Sequence, residues 1–135
     1  MAWDKKKAIE HLRKNAQPPY GVGQCARYVR EAIEAGGLVV PQTGSGSAKD
    51  YGPRLVAAGF KLQPGPYVAY EAGDVAVIDG FTKDAAEGIK KDHPDGHLTM
   101  YDGTHWISDF KQEGSTPYPG SDYVKAAPRY LIYKF

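Results

Sequence analysis

The single cysteine of this 135-residue chain lies in "GVGQCARYVREA", residues 21–32. Glycines 21 and 23 lead into a run with helical spacing, which sets Cys25 in the first turn of a helix. A thiol at that place faces unpaired backbone N–H groups and the positive end of the helix dipole, and both favour the thiolate. The same pattern suits a small buried hydrophobe closing an apolar stripe. A base elsewhere in the chain has to decide between a nucleophile and a structural cysteine.

Four histidines are available, at 11, 93, 97 and 105. His11 falls on the polar side of the first helical segment, His93 precedes Pro94 in a long loop, and His105 opens a short strand. His97 follows Gly96 at the start of "HLTMYD", where a strand end fixes an imidazole better than a loop does. It is the preferred base. A third group should orient its ring. "HLTMYDGTHWISDF" reads as a hairpin turning at Asp102–Gly103. One register puts Asp109 on the face of His97, whereas a strict two-residue turn puts Ser108 opposite it, and the sequence leaves both open. Asp109 is preferred because a carboxylate both orients and stabilises an imidazolium.

Other motifs fail on context. "GVGQCA" matches a dinucleotide-binding fingerprint, but "NAQPPY" before it is no strand. "TGSGSAKD" lacks the Gly-Lys-Ser/Thr end of a phosphate loop. "HPDGH" offers two histidines without a defined third ligand, so no metal site is expected.

These residues need a scaffold, and composition bounds it. The chain fits one domain, residues 1–135, with 41% hydrophobic and 24% charged residues and enough length for a real core. Seventeen Lys and Arg against sixteen Asp and Glu argue against a dedicated nucleic-acid binder. A lone cysteine excludes an internal disulfide. No apolar run approaches the ~18 residues that span a bilayer, so no membrane segment is expected. "MAWDKKKAIEHLRKN" lacks the apolar stretch of a secretory signal.

The spacing predicts a first helix over "WDKKKAIEHLRKNA", capped by Asp4, with Ala8, Ile9, Leu12 and Ala16 as its stripe. A second runs from Cys25 to Ala35, its stripe Cys25, Val29, Ala32 and Ile33, with Arg27/Glu31 and Arg30/Glu34 four apart on the other side. Gly36–Gly37 stops it. "AKDYGPRLVAAGF" predicts a shorter helix broken near Gly52–Pro53. After Phe60, "YVAY", "DVAVID", "HLTMYD", "HWISDF" and "RYLIYKF" predict strands, with 80–96 as a long loop or short helix rimming a cleft. Helices followed by strands predict an α+β domain whose N-terminal helices pack on a mostly antiparallel sheet.

Three segments resemble the CHAP-domain and NlpC-type peptidoglycan hydrolases. "GQCARYV" is similar to their nucleophile segment, "AGDVAVI" to the strand before the histidine, and "GHLTMYDG" to the Gly-His strand, in the expected order over about residues 20 to 110. The resemblance implies a papain-like cysteine amidase or peptidase cutting amide bonds of cell-wall stem peptides. Cys25 would be its nucleophile, His97 its base and Asp109 its third member, a position that accepts an acid, an amide or a histidine. Gln24 matches the residue before the nucleophile and, with Tyr20 and Trp106, is expected to bind substrate or the oxyanion. Tyr51 and Tyr118 are further candidates to line the groove, and Arg27 to meet a stem carboxylate. The size and the missing signal also resemble the amidase effectors of type VI secretion, made in the cytoplasm and delivered to act at a competitor's wall. That implies a monomer without cofactor, with peptidoglycan stem peptides as substrate and a cognate immunity protein as partner. The preferred bond is D-glutamyl–diaminopimelate, and the rival is muramoyl–L-alanine. A phage or housekeeping lysis enzyme of the same fold, or a non-catalytic wall-binding module, remains as the alternative.

Overall fold

The computed structural model describes residues 2–17 and 23–135. Its first helix, α1 (Lys5–Asn15), begins where Asp4 Oδ1 accepts the Lys7 N–H at 3.0 Å. That bond satisfies one of the orphan donors of the first turn. Ala8, Ile9 and Leu12 are buried, the stripe expected from their spacing. Helix α2 (Cys25–Ala35) buries Val29, Ala32 and Ile33 and leaves Arg27 and Glu31 exposed, their charged groups 3.6 Å apart. At its end Gly36 permits a close approach: a Cβ there would lie 2.7 Å from the Asp4 carbonyl oxygen, whose own N–H bonds Gly36 O at 3.0 Å. A 3₁₀ turn at Ala48–Asp50 leads into α3 (Gly52–Ala58), the break falling at Gly52–Pro53 as the proline predicts.

The strands are β1 (Lys61–Leu62), β2 (Val75–Ile78), β3 (His97–Tyr101), β4 (Trp106–Ile107) and β5 (Tyr130–Lys134). They form one antiparallel sheet in the order β1-β5-β2-β3-β4. The expected α+β architecture is therefore observed. "YVAY" at 67–70 is not a strand; Tyr67 and Tyr70 instead pack under β5, with Tyr70 Oη 2.9 Å from Tyr130 Oη. A last helix, α4 (Ser121–Ala126), interrupts the tail and was not legible there.

Alternation along the strands divides the core. Val75, Val77, Leu98, Met100 and Ile107 face α1 and α2 and join Leu12, Val29 and Ile33. Ala76, Ile78, Trp106 and Ile132 face the other side, where Tyr123 of α4 covers them. Each large aliphatic side chain fully buried in this way is worth about 1.5–3 kcal/mol. The consequence for chemistry is positional. Helix α2 is held against the helix-side face, while β3 presents His97 from the opposite face at its first residue.

Candidate active site

Cys25 opens α2 and His97 opens β3, and both line one cleft of about 700 Å³ with Gln24, Gly46, His93 and Asp109. The Leu98 N–H bonds the Cys25 sulfur, so the thiol sits beside the residue that follows the histidine. Gly96 makes this start of β3 feasible. Its φ is +67°, a region that favours glycine, and any Cβ there would collide with the Ile78 carbonyl oxygen.

Burial dominates the electrostatics of both groups. It pushes the Cys25 thiol up to about 11, reinforced by the Asp109 carboxylate and only partly opposed by the backbone N–H groups of Leu98, Ala26 and Cys25 itself. It pulls His97 down to about 4, against the raising effects of Gln112 and Asp109 and with a further lowering by His93. The expected thiolate at the helix terminus is therefore not the resting form. The helix-end donors act in the foreseen direction, but desolvation exceeds them. The pair rests as neutral thiol and neutral imidazole.

The hairpin register explains which group meets the ring. Asp102 Oδ1 accepts the N–H groups of Thr104 and His105 at 2.8 and 2.6 Å, opening the turn to Asp102–His105. β3 and β4 then pair Tyr101 with Trp106 and Met100 with Ile107. This register sets neither Asp109 nor Ser108 opposite His97. The chain reverses again after β4, with Ile107 bridged to Lys111 and the Gln112 N–H on the Trp106 carbonyl at 2.9 Å. That second reversal carries Gln112 back to the histidine, and His97 Nε2 lies 2.8 Å from Gln112 Oε1.

The expectation that Asp109 holds the ring is thus corrected at Nε2, where the structure sets Gln112. Asp109 accepts the backbone N–H of Gln24 at 3.0 Å and the Ser108 hydroxyl at 3.3 Å, which ties the loop before Cys25 to the end of β4. Its charge still acts on both Cys25 and His97. Gln112 was missed because strand parity says nothing across a second turn. The only signal was that an amide can occupy the third position in enzymes of the resembled type.

The remaining candidates separate. Gln24 lines the cleft. Tyr20 lies outside the described residues. Trp106 is corrected: it is wholly buried, packed edge-on to Tyr70 with ring centroids 4.9 Å apart, and belongs to the core rather than the groove. Tyr51 is buried under Arg54, and Tyr118 donates to the Pro128 carbonyl away from the cleft. Arg27 reaches the cleft from its exposed helix face. Opposite Cys25, the rim is stitched by Ser47 Oγ to Asp95 Oδ1 at 3.0 Å and by His93 Nε2 to Asp122 Oδ2 at 3.0 Å. Among the described residues no three His, Cys, Asp or Glu side chains gather to hold a metal, and no helix is long and apolar enough to cross a membrane.

No family model and no curated protein matches the chain. Solved structures do. The chain is 44% identical to one in the type VI native effector–immunity complex Tae3–Tai3 from Ralstonia pickettii, with a TM-score of 0.80 over 98% of this chain and 99% of that one. The selenomethionine form of that complex matches at 44% identity and a TM-score of 0.74, over 95% and 99% of the two chains. With that identity over nearly its whole length, the chain belongs to the Tae3 family of type VI effectors.

Proposed function

We propose that this protein is an antibacterial peptidoglycan amidase that hydrolyses a stem-peptide amide through Cys25 and His97, with Gln112 as the positioning amide. The observation that carries the reading is the shared cleft of Cys25 and His97 together with the fixed donor–acceptor order around the imidazole. The Gln112 amide N–H₂ donates to the Pro117 carbonyl at 2.9 Å, which turns Oε1 toward His97. A carbonyl oxygen only accepts, so Nε2 carries the ring proton and Nδ1 keeps a lone pair.

Catalysis then runs from neutral partners. His97 Nδ1 takes the Cys25 proton as the sulfur attacks the amide carbonyl, so charge develops only as the bond forms. The Asp109 carboxylate favours the nascent imidazolium. The Cys25 backbone N–H, at the start of α2, is directed to the oxyanion, and Gln24 beside it contacts substrate. The imidazolium returns the proton to the leaving amine, which departs as the carbonyl re-forms. Water, deprotonated by His97, attacks the thioester; the acid product leaves and the thiol is restored. These steps use the chain's own side chains.

Membership of the Tae3 family supports delivery by a type VI apparatus to a competitor's wall, with a cognate immunity protein as protection for the producer. The D-glutamyl–diaminopimelate link is the bond we assign, and the protein acts as a monomer. Incubating the purified protein with defined muropeptides and weighing the products tests this. Cleavage lost in folded Cys25→Ala and His97→Ala supports it, and full activity in Cys25→Ala refutes it. A product mass that places the cut at muramoyl–L-alanine would reassign the bond alone.

A further inference from the structure

Arg54 of α3 is a buried cation without a counter-ion. Its residue is 7% exposed, and among the described residues no carboxylate lies within ion-pair distance of it. Residues 1 and 18–22, outside the described set, include no acid. Asp50, one helical turn earlier, is turned away to the Ser45 hydroxyl at 2.7 Å. What Arg54 does hold is weak. Nη1 donates to Tyr51 Oη at 3.3 Å, Nη2 to the Gly44 carbonyl at 3.4 Å, the guanidinium lies 4.9 Å from the Tyr51 ring centroid, and Nε has no partner.

A guanidinium stays protonated under all ordinary conditions. Burying one against neutral oxygens costs several kcal/mol that only an anion recovers fully. The place where an anion can approach is marked by Gly46. It lines the cleft that holds Cys25 and His97, and the one heavy atom a Cβ on it would meet within 4 Å is Arg54 Nη2, at 3.9 Å. The cation therefore stands directly behind a stretch of groove wall that has no side chain.

We infer that Arg54 is a specificity-determining residue that takes a substrate carboxylate across Gly46. This rests on the peptidoglycan reading above for the identity of the acid. A γ-linked glutamyl residue keeps its α-carboxylate on the same residue as the scissile carbonyl, and that carboxylate is the group Arg54 selects. A stem in which it is amidated is the disfavoured substrate.

The test separates binding from cleavage. Calorimetry on the Cys25→Ala protein compares the L-alanyl-γ-D-glutamyl-diaminopimelate tripeptide with the same peptide carrying that α-carboxylate as its amide. The free acid should bind about tenfold tighter or better, the range of a charge-assisted hydrogen bond. Arg54→Gln should equalise the two forms. Gly46→Val, at a position without left-handed backbone, interposes a side chain and should weaken the acid alone; it decides the matter if Arg54→Gln does not fold. Equal affinity for the two forms, or no affinity for either, overturns the assignment. Selective binding by Cys25→Ala with no hydrolysis by the unmutated protein would remove the amidase reading and leave Arg54 in place. Hydrolysis with equal affinities would do the reverse.

Discussion

His97 Nε2 and Gln112 Oε1 stand 2.8 Å apart, and the Pro117 carbonyl holds the other end of the Gln112 amide. The amide can neither flip nor shift without losing one of two buried bonds. This fixes the imidazole tautomer, and Gln112 acts on the reaction only through the ring. Gln112→Ala should lower kcat about 10- to 100-fold with KM little changed. Gln112→Glu sets a carboxylate on Nε2, which favours the imidazolium and moves the acid limb of the kcat/KM profile to higher pH. A merely structural glutamine would lose stability in both variants and leave that limb where it was.

Asp109 is the second prediction, because its charge acts on the two reacting groups in the same direction. It raises both the Cys25 thiol and the His97 imidazolium pKa. Asp109→Asn keeps an acceptor for the Gln24 N–H but removes the charge. Cys25 should then alkylate faster at pH 8–9 than in the unmutated protein, while kcat falls about tenfold because the imidazolium loses its partner. Iodoacetamide rates against pH, measured beside muropeptide turnover, check the opposed signs. A loss in both rates would mean that Asp109 serves only to hold the loop before Cys25.

How far the sequence reached can be read at these residues. The stripes Ala8–Ile9–Leu12 and Val29–Ala32–Ile33, the cap at Asp4 and the stop at Gly36 are local consequences of spacing and backbone chemistry, and each stands where it was expected. Cys25 and His97 could be singled out because a helix start and a glycine-led strand start leave local marks. Gln112 could not, since its approach depends on an Asx-stabilised widening of one turn and a second reversal at residues 108–110, neither set by periodicity. Trp106 was misread for a related reason. A tryptophan on a short strand looks the same facing a groove or a core, and only the Tyr70 and Tyr101 packing decides.

Stability should carry the signature of the buried neutral pair. The His97 pKa falls from 6.5 to about 4 on folding, so its contribution is whole above about pH 6.5. It is lost as pH falls toward 4, because the unfolded chain takes up the proton first. Its full size is about 3 kcal/mol. The Cys25 pKa rises from 9.0 to about 11, so its contribution is whole below pH 9 and lost as pH rises to 11. Thermal unfolding should show a plateau between about pH 6.5 and 9. Cys25→Ala should flatten the alkaline side only, and His97→Gln the acid side only. An unchanged acid limb in His97→Gln would mean that other groups set it.

Two glycines with positive φ flank β3, and they predict different losses. Gly96 has φ +67°, and a Cβ there collides with the Ile78 carbonyl oxygen one residue before His97. Gly103 has φ +104°, but its Cβ would meet nothing nearer than the Ala72 Cβ at 3.7 Å, an ordinary contact. Both substitutions by alanine incur backbone strain of about 1–3 kcal/mol. Only Gly96→Ala must also displace the first residue of β3, and with it the imidazole from Gln112 and Cys25. A shift of about 1 Å in a reacting group can cost about 100-fold in rate. Gly103→Ala should therefore lower Tm and keep kcat, while Gly96→Ala lowers Tm and loses kcat by about two orders of magnitude at temperatures where it is still folded. Equal kcat losses in the two variants would show that strain anywhere around the strand, rather than the seat of His97, governs the rate.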